Sequence, residues 1–381
     1  MRTRRLIALS LLLALALLTS LPLPQAHAWT TWYVDDTGTN SPACGTAIDP
    51  CRTIQYAINK AAALDTISIQ PGTYSGVTNG EAFPITVDKG MTIYGDSRDT
   101  TMIDADNAAV DVFSVHGVFE FNLYRVSLGG GNQGVYINAT DALSITGLLD
   151  DLRVTGNQIG IYAYRFYGTI EDSDISGNDH VGIFHSISTP TIRRNVLGWN
   201  GTLGIPSDGA IYNYDSSPDI INNVIGWNNG NGVYNDESNP TITNNTIALN
   251  LLGSGVGNFD NSNPTVTNNV IAMNGVYGIH ADATSDPVAS YNDVWGNAWG
   301  DYWDTPAGTG SISANPMFVS LLDAHLLCSS PAIDAGNNAA PAVPSVDYDG
   351  NPRPVGGTVD MGAYEWQSAL RCAAFLPAVL R

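Results

Sequence analysis

Residues 239–250 read NPTITNNTIALN. The first half alternates apolar and polar residues as a half-buried strand does, yet Asn244 and Asn245 are residues that strands and helices both tend to reject. The phrase recurs as TPTIRRNVLGWN, SPDIINNVIGWN and NPTVTNNVIAMN, and in degenerate form as DPVASYNDVWGN. The closing residues Asn200, Asn228, Asn250, Asn274 and Asn297, with Asn157 and Asn178 from two earlier units, are separated by 21, 22, 28, 22, 24 and 23 residues. A cadence of about 23 residues marks a solenoid.

Each unit carries a second signature, a Gly, then a β-branched residue and usually an aromatic: GVY at Gly134 and Gly232, GIY at Gly160, GIF at Gly182 and GIH at Gly278, with AIY at Ala210. One unit thus holds three short extended segments, as in 232–235, 240–243 and 246–249. The expected fold is all-β, a single-stranded parallel β-helix of three-strand coils, each climbing about 4.8 Å to stack on its neighbour. Val233, Ile242, Ile247 and Leu249 should point inward, and Thr241, Thr243 and Ala248 outward. The Asn pair becomes a tight turn, since Asn tolerates left-handed backbone. Asn195, Asn223, Asn245, Asn269 and Asn292 should stack into one amide ladder, and the Asn250 column into another. Leucine-rich repeats want LxxLxL rather than Ile and Val, helical repeats need longer segments of 3.6-residue period, and propeller blades run to about 40 residues or more.

Outside the repeats, Arg2, Arg4 and Arg5 precede an apolar run from Leu6 to Leu18, and Ala26-His27-Ala28 forms a small-residue cleavage site, the pattern of a secretory signal peptide over 1–28. An uncleaved anchor is the alternative, though the run is shorter than the roughly 20 residues of a span. Without that segment, 12 Lys and Arg face 36 Asp and Glu, a formal charge of −24. Such a surface repels nucleic acid and anionic lipid, and an anionic polysaccharide too unless Arg or bound Ca²⁺ reverses the sign locally. Cys44 with Cys51, and Cys328 with Cys372, are the natural disulfide pairs in an oxidising compartment, one of three possible connectivities. An amphipathic helix near 53–63, with Ile54, Ala57, Ile58 and Ala61 on one face, is expected to cap the N-terminal coil.

The phrase PTITNNTI followed by GV resembles the right-handed parallel β-helix family of pectate-lyase-like polysaccharide enzymes. WYVDDTGTN and PCRTIQYAINKAAALDTISIQPGTY are similar to the N-terminal capping segment of secreted members, and SPAIDAGNNAAP, VDYDGNPRP and VDMGAYEW resemble a choice-of-anchor Q domain. The expected organisation is a cap with first strands over 29–90, coils over 91–305, the choice-of-anchor-type region over 306–366, closing the other end, and a tail over 367–381. The apolar tail is a sorting signal or a packed segment. The family mixes lyases, hydrolases, epimerases and non-catalytic proteins, so the resemblance speaks to fold before function.

Stacking aligns Tyr136, Tyr162, Phe184, Tyr212, Tyr234 and His280 on one outward column, interrupted by Gly257, with Tyr164, Tyr214 and Phe259 in the next. The resemblance implies that saccharides bind on this sheet, whereas stacked rings can also simply stabilise a sheet. Asp215, Asp236, Glu237 and Asp260 follow these strands, as candidate Ca²⁺ ligands or as solvated turns. Arg165, Asp179 and His180 form the candidate catalytic set, with His180 as base and Arg165 or Ca²⁺ as the cation that a uronide lyase requires. Glu171 and Asp172 should pair with Arg193 and Arg194, and His185 should point inward beside Ala163 and Asn213. The pectinase-type hydrolase pattern is not matched: Asp150-Asp151 is the only DD within the repeats, and neither GHG nor RIK occurs. The leading expectation is a secreted or cell-surface monomer that binds polysaccharide without a required cofactor; a lyase acting on an acidic glycan and a structural adhesion protein are the rivals.

Overall fold

The computed structural model describes residues 29–139, 144–202 and 207–368. The chain divides into two compact units at Thr30; of the first only Trp29 and Thr30 are described, and the second, from Thr31 onward, carries the fold. The signal segment, Cys372 and the apolar tail lie outside the described residues.

Three parallel sheets make up the solenoid among the described residues. Sheet A has eleven strands, from Thr31–Val34 to Val288–Ser290; sheet B has ten, from Ile85–Val87 to Gly300–Trp303; sheet C has ten, from Gly72–Ser75 to Asp293–Trp295. After the first, each coil contributes one strand to each sheet, so a strand pairs with its equivalent one coil away rather than with its chain neighbour. Ile192, Ile220, Ile242 and Val266 register in sheet A, and Leu197, Ile225, Ile247 and Ile271 in sheet C, all fully buried. These columns of branched side chains fill a continuous core that also takes in Ile54, Ala57 and Ile58 of the helix Ile54–Lys60. The Thr53 hydroxyl accepts from Tyr56 N–H at the N-terminus of that helix, where the Glu81 carboxylate also accepts from Ile54 and Gln55 N–H.

The two Asn of the repeated phrase have separate tasks. Asn244 takes the left-handed conformation, with φ 55°, as do Asn222 at 54° and Asn268 at 59°. Asn245 is the ladder residue. Its carboxamide oxygen accepts from Asn223 N–H and Nδ2, and its Nδ2 donates to Asn269 Oδ1 and to the carbonyls of Ile220 and Thr243. The same pattern runs from Asn195 to Asn292, and a second ladder from Asn157 to Asn297. A third ladder inside sheet B links Asn213, Asn235 and Asn258.

One expectation of side-chain direction needs correction, and one of exposure. Leu249 does not point into the core: it adopts φ 61° at the turn before Asn250 and lines an outer groove. Thr243 and Ala248 do face out from the coil, but they are covered. The C-terminal region is what covers this side, rather than only closing the far end. Residues 309–312 bond to the last coil at Tyr291, Asn292 and Val294. The chain then forms the antiparallel hairpin Phe318–Ser320 and Asp323–Leu326 and lies against the coils where sheets A and C meet. Asn222, Asn244 and Asn268 donate to the carbonyls of Val346, Asp360 and Asn337, and Thr243 to that of Pro341. The VDYDGNPRP and VDMGAYEW motifs supply a buried lock: Arg353 donates to Glu365, to Asn222 Oδ1 and to the Gly362 carbonyl, with neither the Arg nor the Glu side chain exposed. Cys44 and Cys51 are disulfide-bonded, and Cys328 also takes part in a disulfide.

Candidate functional site

Sheet B carries the Gly-aromatic signature, and its geometry explains each position. In the strand Asn231–Asp236, a Cβ on Gly232 would meet Ile247 at 2.5 Å, the Gly255 carbonyl at 2.7 Å and the Asn250 amide at 2.9 Å, so here Gly lets the next coil and the ladder approach, whereas Ala210 is accommodated at the same register one coil earlier. Val233 and Asn235 then point inward and Tyr234 and Asp236 outward.

The outward rings form a file. Centroids of Tyr136 and Tyr162 lie 5.3 Å apart, Tyr162 and Phe184 4.9 Å, Phe184 and Tyr212 4.9 Å, and Tyr212 and Tyr234 4.8 Å. The expected interruption at Gly257 is filled. Phe259, from the next outward position, leans back over Gly257 and stacks on Tyr234 at 4.8 Å, with His280 edge-on to it at 5.1 Å. Tyr277 continues from His280 to Trp303 and Trp299, at 5.3, 5.2 and 6.0 Å. Rings thus run without a break across sheet B from Tyr136 to Trp303.

Exposure changes along this file. Tyr136, Tyr162, Phe184, Tyr212, Tyr234 and His280 are half-buried, much of each ring being covered by its neighbours, whereas Trp303 is 53% and Trp299 70% exposed. Tyr164 is half-buried and receives a hydrogen bond from Arg165 Nε, while Tyr214 is exposed. Burial, then a hydrogen bond to Asp236, raises the Tyr212 phenol well above its ordinary range, so it is a neutral donor. Burial lowers the His280 pKa despite Asp282 and Asp304, which leaves a neutral imidazole at pH 7. Burial opposes ionisation of Asp282, but hydrogen bonds from Asp260 N–H, Ser285 and Thr284 bring it down to about 2.

The candidate catalytic set does not converge. Arg165 follows Ile159–Tyr164, and Asp179 and His180 precede Val181–Ser186; because these strands are parallel neighbours, the two groups sit at opposite ends of a six-residue strand. At about 3.3 Å per residue, that is on the order of 20 Å. His180 instead lies 3.4 Å from Asp208.

The candidate metal set stays together in part. Tyr214, Asp236 and Phe259 share one register, so Asp215, Glu237 and Asp260 follow in the turn while Asp236 stays on the sheet, bonded to Tyr212. Among the described residues, the three acidic side chains within common ligand reach are Asp150, Glu171 and Asp172, on sheet A. Glu171 and Asp172 there pair with Arg193 and Arg194, as their register predicts. Burial, reinforced by these acids, raises Asp150 to about 6. His185 sits inside, level with Ala163 and Asn213, and burial lowers it to about 3, which fits a structural residue.

Residues 133–300 match a family described as the right handed beta helix region. The structure is similar to that of the pectate lyase Pel9A, with a TM-score of 0.64 at 18% identity over 88% of this chain and 96% of that one. The fold is a right-handed parallel β-helix. A XylC–xylose complex matches with a TM-score of 0.53 at 8% identity, covering 88% of this chain and 98% of that one. No curated protein matches the sequence.

Four residues of the aromatic face are not marked by the repeat pattern. Trp299, Trp303 and Tyr277 lie outside the Gly-aromatic signature, and Phe259 belongs by register to the neighbouring column. The signal that could have found Trp303 is alternation in Gly300–Trp303, where inward Tyr302 registers with Ile279 and leaves Trp303 outward beside His280.

Proposed function

We propose that this is an exported polysaccharide-binding protein whose ligand lies along sheet B, parallel to the solenoid axis. The observation that carries the reading is the unbroken file of rings from Tyr136 to Trp303. Rings spaced by coils offer a glycan chain repeated contacts, and large aromatic anchors supply a disproportionate share of binding energy. The Cys44–Cys51 disulfide suits an oxidising compartment, and among the described residues no helix is long and apolar enough to cross a membrane. The pectate lyase and the xylose complex with this fold give precedent for saccharides on such a scaffold. Binding is favoured over lyase chemistry because Arg165 and His180 flank opposite ends of the sheet and cannot serve one sugar ring together.

The test is binding of the full chain to immobilised glycans, with Tyr162→Ala and Tyr234→Ala as variants. Each should weaken binding about tenfold, corresponding to about 1.4 kcal/mol. Unchanged binding by both variants, or accumulation of unsaturated uronide products, would overturn the proposal.

A further inference from the structure

Resting on the reading that sheet B binds a polysaccharide, we infer that its ligand is an uncharged glycan, gripped at the C-terminal end of the sheet by Trp299 and Trp303.

The charge distribution excludes a uronate there. From Asn195 to Pro352 the sequence contains no Lys or Arg. Along the edge where sheet B turns toward sheet A, the same coils present Asp215, Asp236, Glu237, Asp260, Asp282 and Asp304. His280, the basic group on the ring file, is held neutral by burial. A polyuronate carries a carboxylate on every sugar, so each would meet this row with no fixed cation between them. An uncharged glycan meets the same groups favourably, because sugar hydroxyls donate to ionised carboxylates in charge-assisted hydrogen bonds.

The rings select the same ligand. Over most of the file neighbouring centroids are 4.8 to 5.3 Å apart, so ring faces are largely occupied by other rings. Trp299 meets Tyr277 in a T-shaped contact, with 89° between their planes, and is the most exposed ring of the file. At least one of its faces is open. Trp303 stacks one face on Tyr277 and is more than half exposed. An aromatic face carries the negative lobe of the ring quadrupole. It attracts the weakly positive C–H face of a pyranose and repels a carboxylate brought over it. The half-buried rings toward Tyr136 then serve as a track, and the two tryptophans as the anchor.

The full chain is titrated with cellohexaose, xylohexaose and mannohexaose, and with hexagalacturonate and hexamannuronate, each with Ca²⁺ and with chelator. At least one uncharged hexasaccharide should bind, with little dependence on salt. Trp299→Ala and Trp303→Ala should each weaken that binding at least tenfold; both side chains are exposed, and an unchanged melting temperature verifies the fold. Tighter binding of a uronate oligosaccharide, with or without Ca²⁺, overturns this inference and leaves the sheet B reading intact. So does binding that Tyr162→Ala weakens and both Trp variants spare. If no saccharide of either charge binds, both readings fall.

Discussion

Asn245→Ala tests whether the amide ladder, rather than apolar burial alone, holds the coils in register. Asn245 is fully buried, accepts two hydrogen bonds and donates three. Truncation takes the acceptor from Asn223 N–H, which is sealed from solvent in its turn. A buried donor left unpaired costs roughly 1–3 kcal/mol. Asn223 Nδ2 keeps its bond to the Ile192 carbonyl, so that side chain is only partly orphaned. The remaining lost bonds contribute roughly 0.5–1.5 kcal/mol each, with some relief as neighbours relax. The expected destabilisation is about 3–5 kcal/mol, in the range reserved for broken buried networks.

The assay is urea unfolding followed by circular dichroism, with Asn263→Ala as control, since Asn263 is exposed. Solenoid coils interact chiefly with their neighbours, so the damage should be greatest near coils 223–269 and visible as lost amide protection there. Asn245→Asp should restore the acceptor but bury a charge, and so recover stability only at acidic pH. A loss below about 1 kcal/mol for Asn245→Ala, equal to that of the control, would refute the argument and assign the register to Ile and Val packing.

Asp293 is fully buried, its Oδ2 has no hydrogen-bond partner, and burial raises its pKa to about 7. The folded state therefore binds a proton that the unfolded chain releases near pH 4, so stability should fall as pH rises from about 4 to about 7. Asp293→Asn should flatten that slope in melting-temperature profiles. His325 donates to Asp323 and Asp349; burial opposes its charge, but the two carboxylates outweigh it and hold its pKa above the ordinary value. Its contribution should be complete below about pH 6.5 and lost as pH rises through the raised value, which His325→Gln would abolish. Arg353→Met leaves Glu365 buried without its cation and should cost about 3–5 kcal/mol, read as early loss of protection over residues 317–366.

How much of the molecule is legible in its sequence depends on repetition. The coil pattern, both amide ladders and the Glu171–Arg193 register follow from NPTITNNTIALN because five copies constrain one another, and a one-residue slip would turn every Ile outward. Leu249 departs from expectation because strict alternation does not extend one residue past the strand, into a turn that needs a left-handed residue. The Arg165–His180 separation is legible too, although the expected catalytic set overlooks it: Arg165 follows one strand and His180 precedes its parallel neighbour, so chain order alone puts them at opposite ends. Trp299 and Trp303 belong to the last, irregular coil, where no second copy exists to fix their register.

The path of the C-terminal region sharpens the case for sheet B. Residues 337–363 bond to Asn222, Thr243, Asn244, Thr246 and Asn268, all on sheets A and C or the turn between them. The hairpin borders Trp199 and Trp227 at the far edge of sheet C, where Phe318 and Leu322 help line a groove and Trp199 stays 55% exposed. Part of the apolar surface on those sides thus has a partner within the chain. The ring file of sheet B leaves Trp299 and Trp303 in water although the same chain passes within bonding distance of their strand, where Ser313 donates to Asp301. Exposure alone does not single out sheet B, since Trp199 is as exposed as Trp303; the unbroken file of rings ending in Trp299 and Trp303 does, because it gathers exposed aromatic surface into one row.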